Sequence, residues 1–309
     1  MMMRKENAMS IQENVVNLDS SRAPAVIRSD RLIGVILADE GKITPDEIER
    51  VLRLQKDTGV RFGEAAVQLG LITNNDVRFA LAKQFDFPLL SPEHETGGLQ
   101  PSKELVAAFA PFHPRTEELR ALRTQLLIRW YNPQQGRNAL VIASPDGGEG
   151  RSYVAANLAV TFSQLGARTL LMDADLRKPR QHEIFGIPPG HGLSSLLSGR
   201  TDTKAQFPVH GLNRLTVLPA GPLPPNPQEL LSRPAFTALM KELQSHYDVV
   251  IIDSPPAKKY ADTQSIAYRA GDVLMVARKD HTSVSSTSKA VKELAGTGAR
   301  VVGTIVNSY

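Results

Sequence analysis

The stretch Ser144-Pro-Asp-Gly-Gly-Glu-Gly-Arg-Ser-Tyr153 holds the residue types that phosphate chemistry requires. Glycines let backbone N–H groups converge on anionic oxygens, and a helix N-terminus behind them adds partial positive charge. A cation then neutralises the outer phosphates and a hydroxyl ligates magnesium. Gly147, Gly148, Glu149, Gly150, Arg151, Ser152 and Tyr153 follow the apolar run NALVIAS in that order. Against the pattern G-x-x-x-x-G-K-[ST], Pro145 replaces the first glycine and Arg151 the lysine. Arginine supplies the charge, but its planar fork is bulkier than an ammonium and cannot follow one oxygen as a point charge does. On the loop alone, a ligand-free glycine-rich turn stays open as the alternative.

Carboxylates provide the other half of such a site. The run LLMDAD ends in Asp173 and Asp175, and DVVIIDSPP carries Asp253 at the end of its own apolar run. In a parallel sheet these acids meet at the carboxyl edge beside the loop, where open α/β sheets bind ligands. One aspartate after a strand is as readily a helix cap. Three together beside a glycine loop are harder to dismiss as caps.

The elements that must position these residues are legible from periodicity. NALVIAS, TLLMDAD, LTVLPAG, DVVIIDS, DVLMVAR and RVVGTIVN are strand runs apolar on both faces. They alternate with helical patterns at Ser152 to Leu165, Gln228 to Tyr247, from Asp262, and Ser283 to Leu294. Such alternation predicts an α/β fold, a mostly parallel sheet with helices on both faces. A small all-helical domain precedes it. There Gly34-x-x-Leu37-x-x-x-Gly41-x-Ile43 is repeated as Gly63-x-x-Ala66-x-x-x-Gly70-x-Ile72, an offset of 29 residues that also carries Ile48 onto Val77 and Leu52 onto Leu81. Two copies of one supersecondary unit are expected, each with a short helix ending near its second glycine and another opened by Thr44-Pro45 or Thr73-Asn74. The domain limits read as a flexible lead at 1–30, the repeat at 31–90, a proline-rich linker at 91–112 with one short helix around Leu105 to Phe109, and the nucleotide-binding domain at 113–309.

Composition narrows the classes. The 309 residues are 41% hydrophobic and 22% charged, ordinary for a folded chain, with a net charge of +4. With no cysteine, thiolate metal sites, disulfides and a cysteine nucleophile are excluded. The N-terminus lacks the apolar run of a secretory signal and no stretch is long and apolar enough to span a bilayer, so a cytoplasmic protein is expected, recruited to the inner membrane face by a partner. The seven histidines show no metal-ligand spacing, and no aromatic-basic interleaving suggests nucleic acid as a partner.

From about Pro111 onward the chain resembles the bacterial tyrosine kinases of polysaccharide export, whose nucleotide fold is related to the MinD-type ATPases. The motifs SPDGGEGRSYVAANLA, LLMDADLRKPR, LPAGPLPPNPQELL and VVIIDSPP carry the likeness in the expected order. The resemblance implies ATP and Mg2+ as cofactors, with Ser152, Asp173 and Asp253 as metal ligands. It implies that Asp175 activates the attacking tyrosine hydroxyl and that Asn307 contacts the adenine. It also implies a separate membrane copolymerase, the chain-length determinant, as partner. Glu117, Arg120 and Arg123 match the family's self-association pattern E-x-x-R-x-x-R, implying a homo-oligomer; from spacing alone they form a solvated charged stripe. Asp146 stands where the partition-type ATPases place a lysine that crosses a dimer, which disfavours that branch. A nucleotide-dependent scaffold without phosphotransfer is the rival, favoured by Arg151 and by the single tyrosine, Tyr309, at the end of the chain; the other tyrosines read as packing residues. The repeat resembles the N-terminal domain of type II secretion and pilus ATPases, some of which bind cyclic di-GMP. Because the first copy reads Arg31-Leu-Ile-Gly34, its arginine is displaced by one residue relative to Arg61-Phe-Gly63, and structural or protein-docking use is preferred.

Overall fold

The structure, a computed structural model, describes residues 32–85, 87–90, 99–200 and 205–308; the expected lead at 1–30 lies outside them. Four helices come first: α1 (Ile33–Asp39), α2 (Pro45–Thr58), α3 (Phe62–Gln68) and α4 (Asn74–Gln84). The two threonines do what their spacing predicts. Thr44 and Thr73 each accept from the N3 backbone while Glu47 and Asp76 reach back to the cap amide, closing a capping box on α2 and α4. A small core of its own, with Leu37, Val51, Ala65, Ala66 and Ala80 almost fully buried, joins the four. Gly34 and Gly63 sit where helices touch. A Cβ on Gly34 would lie 2.9 Å from the Phe62 ring, and one on Gly63 would lie 2.7 Å from a Val77 methyl.

Of the segment expected as a linker, 91–112, residues 91–98 lie outside the described residues, and the described part packs with the following domain. Helix α5 (Val106–Phe109) brings Leu105, Ala107 and Ala108 into the main core, all fully buried. Asn157 fixes it: its amide accepts from Ala107 N at 3.0 Å and donates to the Glu104 carbonyl at 2.9 Å. Prolines cannot reveal this, since the burial of three short apolar residues depends on what arrives opposite them.

Beyond α6 (Pro114–Arg129) run β1 (Ala139–Ala143), α7 (Arg151–Gln164), β2 (Thr169–Asp173), the short α8 (Gln181–Ile184) and α9 (Leu193–Leu197), β3 (Phe207–Pro208) and β4 (Leu215–Leu218). Then follow α10 (Pro227–Ser232), α11 (Pro234–His246), β5 (Val249–Asp253), α12 (Asp262–Ala270), β6 (Asp272–Arg278), α13 (Val284–Ala295) and β7 (Arg300–Asn307). The strands form one sheet in the order β3-β4-β2-β5-β1-β6-β7, parallel except for the two-residue edge strand β3. Side chains alternate between two cores. Leu140, Ile142, Leu171 and Ile251 face α5, α6 and α7, while Val141, Leu170, Met172 and Ile252 face the layer with α11, α12 and α13. Each such fully buried aliphatic chain is worth about 1.5–3 kcal/mol, so the strands that carry the site are the most firmly held part of the fold.

Candidate nucleotide site

The chain leaves β1 for β2 across β5, while β6 joins β1 on its other side; this reversal makes a crevice at the carboxyl ends of the strands. The glycine loop fills it. Gly148 has φ +78° and Gly150 φ +90°, left-handed values that favour glycine, and Gly150 is the N-cap of α7. A second loop, which follows β5, clamps the first: Ala257 N and Lys258 N donate to the carbonyls of Ser144 and Pro145 at 2.9 and 3.1 Å. Glu149 is buried and accepts from Asp146 N at 3.0 Å and from the Thr282 hydroxyl.

A cavity of about 1000 Å³ opens over this loop, and Gly147 through Tyr153 and Asp175 all line it. Arg151 takes a place different from the expected grip on outer phosphates. Its Nε donates to the Ser254 carbonyl at 2.6 Å and its Nη1 to Ser144 Oγ at 2.5 Å and the Asp146 carbonyl at 3.0 Å, leaving Nη2 facing Asp175 Oδ2 at 3.6 Å. With 8% of its surface exposed, the guanidinium braces the loop that it belongs to. Tyr153 lines the cavity, and its buried hydroxyl lies beside the Arg115 guanidinium.

Asp173 and Asp253 end paired strands in register with each other. Both are fully buried, but their oxygens are used differently. Asp173 accepts from the backbone N–H groups of Asp175, Arg180 and Gln181 at 2.9–3.1 Å. Asp253 Oδ2 accepts from Gln181 Nε2 at 2.8 Å, and its Oδ1 has no partner in the protein. Burial and then the neighbouring Asp253 charge push the Asp173 carboxyl well above its ordinary value, against the pull of its backbone donors. Burial also raises Asp253, opposed first by the Arg151 charge and then by the neighbouring Ser152 and Gln181 side chains. An orphaned carboxylate oxygen beside a serine hydroxyl suits a hard cation. Among the described residues no cage of three protein ligands exists, and magnesium needs none: it takes one or two carboxylates and completes its shell with phosphate and water. Ser152, which lines the cavity, and Asp253, fully buried and outside its lining, are the residues that would hold this ion. Asp173 is the member of the expected ligand set already held by three backbone amides, two on Oδ2 and one on Oδ1.

The remaining expected residues fall as follows. Asp175 accepts from the backbone of Arg177 and Lys178 and presents its other oxygen to the cavity side of Arg151. Asn307 lies outside the cavity lining and donates to the Glu149 carbonyl at 3.1 Å, so it supports the loop from behind. The stripe on α6 is only partly solvated: Glu117 pairs with Arg120, whose guanidinium also lies 5.4 Å over the Phe87 ring, and Arg123 donates to the Thr161 carbonyl at 2.8 Å. Sequence reasoning missed Gln181, which ties Ser152, Asp253 and Asp173 together from a fully buried position. Its only signal is its place after LRKPR, because nothing local distinguishes a buried glutamine from a solvated one.

A glycine loop at a helix N-terminus, at the switch point of a parallel sheet and facing strand-end carboxylates, defines a P-loop NTPase. The family model described as ParA, NUBPL iron-transfer P-loop NTPase, matches residues 135–309. The chain is 35% identical over 192 residues to the putative tyrosine-protein kinase CapB of Staphylococcus aureus, covering 62% of this chain and 83% of that one. It is also 35% identical over 210 residues to the tyrosine-protein kinase YwqD of Bacillus subtilis, covering 68% and 88%. The kinase domain of the Escherichia coli tyrosine kinase ETK superposes with a TM-score of 0.64 at 30% identity, over 70% of this chain and 82% of that one. Within the P-loop NTPases, the chain belongs to the bacterial tyrosine-protein kinases. Among its described residues no helix is long and apolar enough to cross a membrane.

Proposed function

We propose that the protein transfers the γ-phosphoryl group of ATP to protein tyrosines, acting in exopolysaccharide chain-length control and export with a separate membrane copolymerase. The observation that carries this reading is the shared cavity: loop amides, Ser152 and Asp175 open into the same space. Loop N–H groups and the α7 N-terminus bind the phosphates. Ser152 and Asp253 would hold magnesium, with the Asp173 charge beside them. Bound magnesium supplies charge neutralisation at the phosphate oxygens. Asp175 receives the phenolic proton as the tyrosine oxygen bonds to the γ-phosphorus and the bond to the ADP oxygen breaks. Arg151 positions Asp175 and the loop.

A second reading has its own observation. Three donated hydrogen bonds hold the Arg151 guanidinium inward, which suits a nucleotide-dependent scaffold that binds ATP and turns over slowly. One experiment separates the two. Incubation with ATP and Mg2+ followed by anti-phosphotyrosine detection yields signal for the kinase, lost in Asp175→Asn; nucleotide binding by calorimetry with no phosphotyrosine identifies the scaffold. In either case a homo-oligomer forms through α6. The close helix packing at Gly34 and Gly63 accounts for these two repeat glycines without a ligand, which favours structural or protein-docking use over cyclic di-GMP for the helical domain.

A further inference from the structure

The cavity is larger and more basic than a nucleotide on the glycine loop accounts for. Besides the loop, its lining includes Lys103, Arg177, Lys178, Tyr260 and Lys259, whose ammonium lies 5.3 Å over the Tyr260 ring. None of these has a role in the phosphate chemistry above. Arg177 is fixed by two hydrogen bonds to the fully buried Asp262, at 2.7 and 3.0 Å, and stacks 4.0 Å from the centre of the Tyr260 ring. A guanidinium so held costs little further ordering and pins the ring as an aromatic wall. Lys103 and Lys178 are exposed, and among the described residues neither ammonium meets a carboxylate; the acid on this rim, Glu104, is taken by Arg180 at 2.9 Å. A volume of about 1000 Å³ is at the upper end for a single small ligand, leaving room for a second group in front of Asp175.

We propose that Tyr260, held by Arg177, and the lysines Lys103 and Lys178 form an acceptor subsite that selects tyrosines flanked by acidic residues. The phenol ring of the acceptor lies against Tyr260, which directs its oxygen toward Asp175, and flanking carboxylates pair with the lysines. Ring contact gives affinity independent of sequence, while the charges give preference, because a neutral flank leaves both ammoniums without partners. The inference rests on the kinase reading for its chemistry but not for its recognition step.

The test uses the full chain with Mg2+ and a non-hydrolysable ATP analogue, and two fluorescent peptides of equal length with tyrosine flanked by glutamates or by glutamines. Anisotropy titration should show the glutamate peptide bound about fivefold or more tightly, the worth of one or two partly exposed charge pairs. The double variant Lys103→Glu, Lys178→Glu should remove or invert that ratio, whereas Lys289→Glu, Lys292→Glu on α13 should keep it, which separates the subsite from the general charge of the protein. Tyr260→Leu should raise the Kd of both peptides and Tyr260→Phe should restore it. Equal binding of the two peptides, or a ratio unmoved by the double variant, overturns the proposal. A glutamate preference without phosphotransfer in ATP itself upholds the subsite and rejects the kinase.

Discussion

At Arg151 the guanidinium donates to Ser254, Ser144 and Asp146 and so holds both strand-end loops together from inside. A lysine has one charge centre and cannot span those three acceptors, so the substitution that looks like damage to a phosphate grip is a brace in the fold. The strand-end acids show the opposite arrangement, a local cost kept for ligand binding. Asp173 and Asp253 are raised from the ordinary value of 3.8, the first by burial and its neighbour's charge and the second by burial. Acids with raised folded values favour the protonated form. The contribution of this pair to metal-free stability is therefore greatest at low pH and falls as the pH climbs from near 3.8 through the raised values, opposite to that of Asp76 and Asp248, whose carboxyls are lowered; magnesium affinity, which needs the carboxylate, rises over the same window. Asp253→Asn keeps an oxygen for Gln181 Nε2 and places an amide where Oδ1 had no partner. Differential scanning fluorimetry at neutral pH should show its metal-free thermal midpoint raised by about 2–4 °C and its stabilisation by Mg2+ with ATP lost. A midpoint lower than wild type would show that the carboxylate pair is not the strained element described.

Among the elements, the helical repeat shows how a spacing becomes a packing rule. Gly63 on α3 meets Val77 on α4, and a β-branched side chain in a helix has essentially one rotamer with which to yield. Gly63→Ala should therefore cost about 1–3 kcal/mol in urea unfolding followed by circular dichroism. Val77→Ala in the same chain should return most of it. Failure of the second change to rescue the first would place the cost in backbone propensity and not in the contact. The short α5 makes the complementary point: four residues cannot form a stable helix in isolation, and this one exists because Asn157 accepts and donates to its ends from a helix 50 residues away.

Over the whole molecule, the helical domain and the P-loop domain meet beside α6. Arg120 lies over Phe87 and Arg78 over Phe112, at 5.4 and 5.6 Å, so the proposed self-association surface is partly shared with an internal contact. Arg123 is committed to the Thr161 carbonyl, and reversing its charge would disturb α7 as well as any neighbour. Arg120→Glu is the cleaner probe of assembly. In sedimentation velocity with ATP and Mg2+ it should shift the protein to the monomer, leaving the far-ultraviolet spectrum unchanged; a profile equal to wild type would remove α6 from the assembly interface.

Much of this architecture was determined by local chemistry that a sequence displays. Apolar runs buried on both faces specified parallel strands, threonine caps opened α2 and α4, and glycines before Arg151 and Ser152 marked the phosphate loop. The acids could be placed at strand ends because a strand's direction and length are local properties. Tertiary contacts alone decided how those groups are used. Arg151 turns inward because Ser254, 103 residues away, offers its carbonyl, and Asp173 is occupied because α8 returns two backbone amides to it. Residues around Leu105 join the core and Tyr260 becomes a wall because of what packs against them. Hydrogen-bond partners and burial are set by elements distant along the chain, and no periodicity in a sequence records which of them will meet.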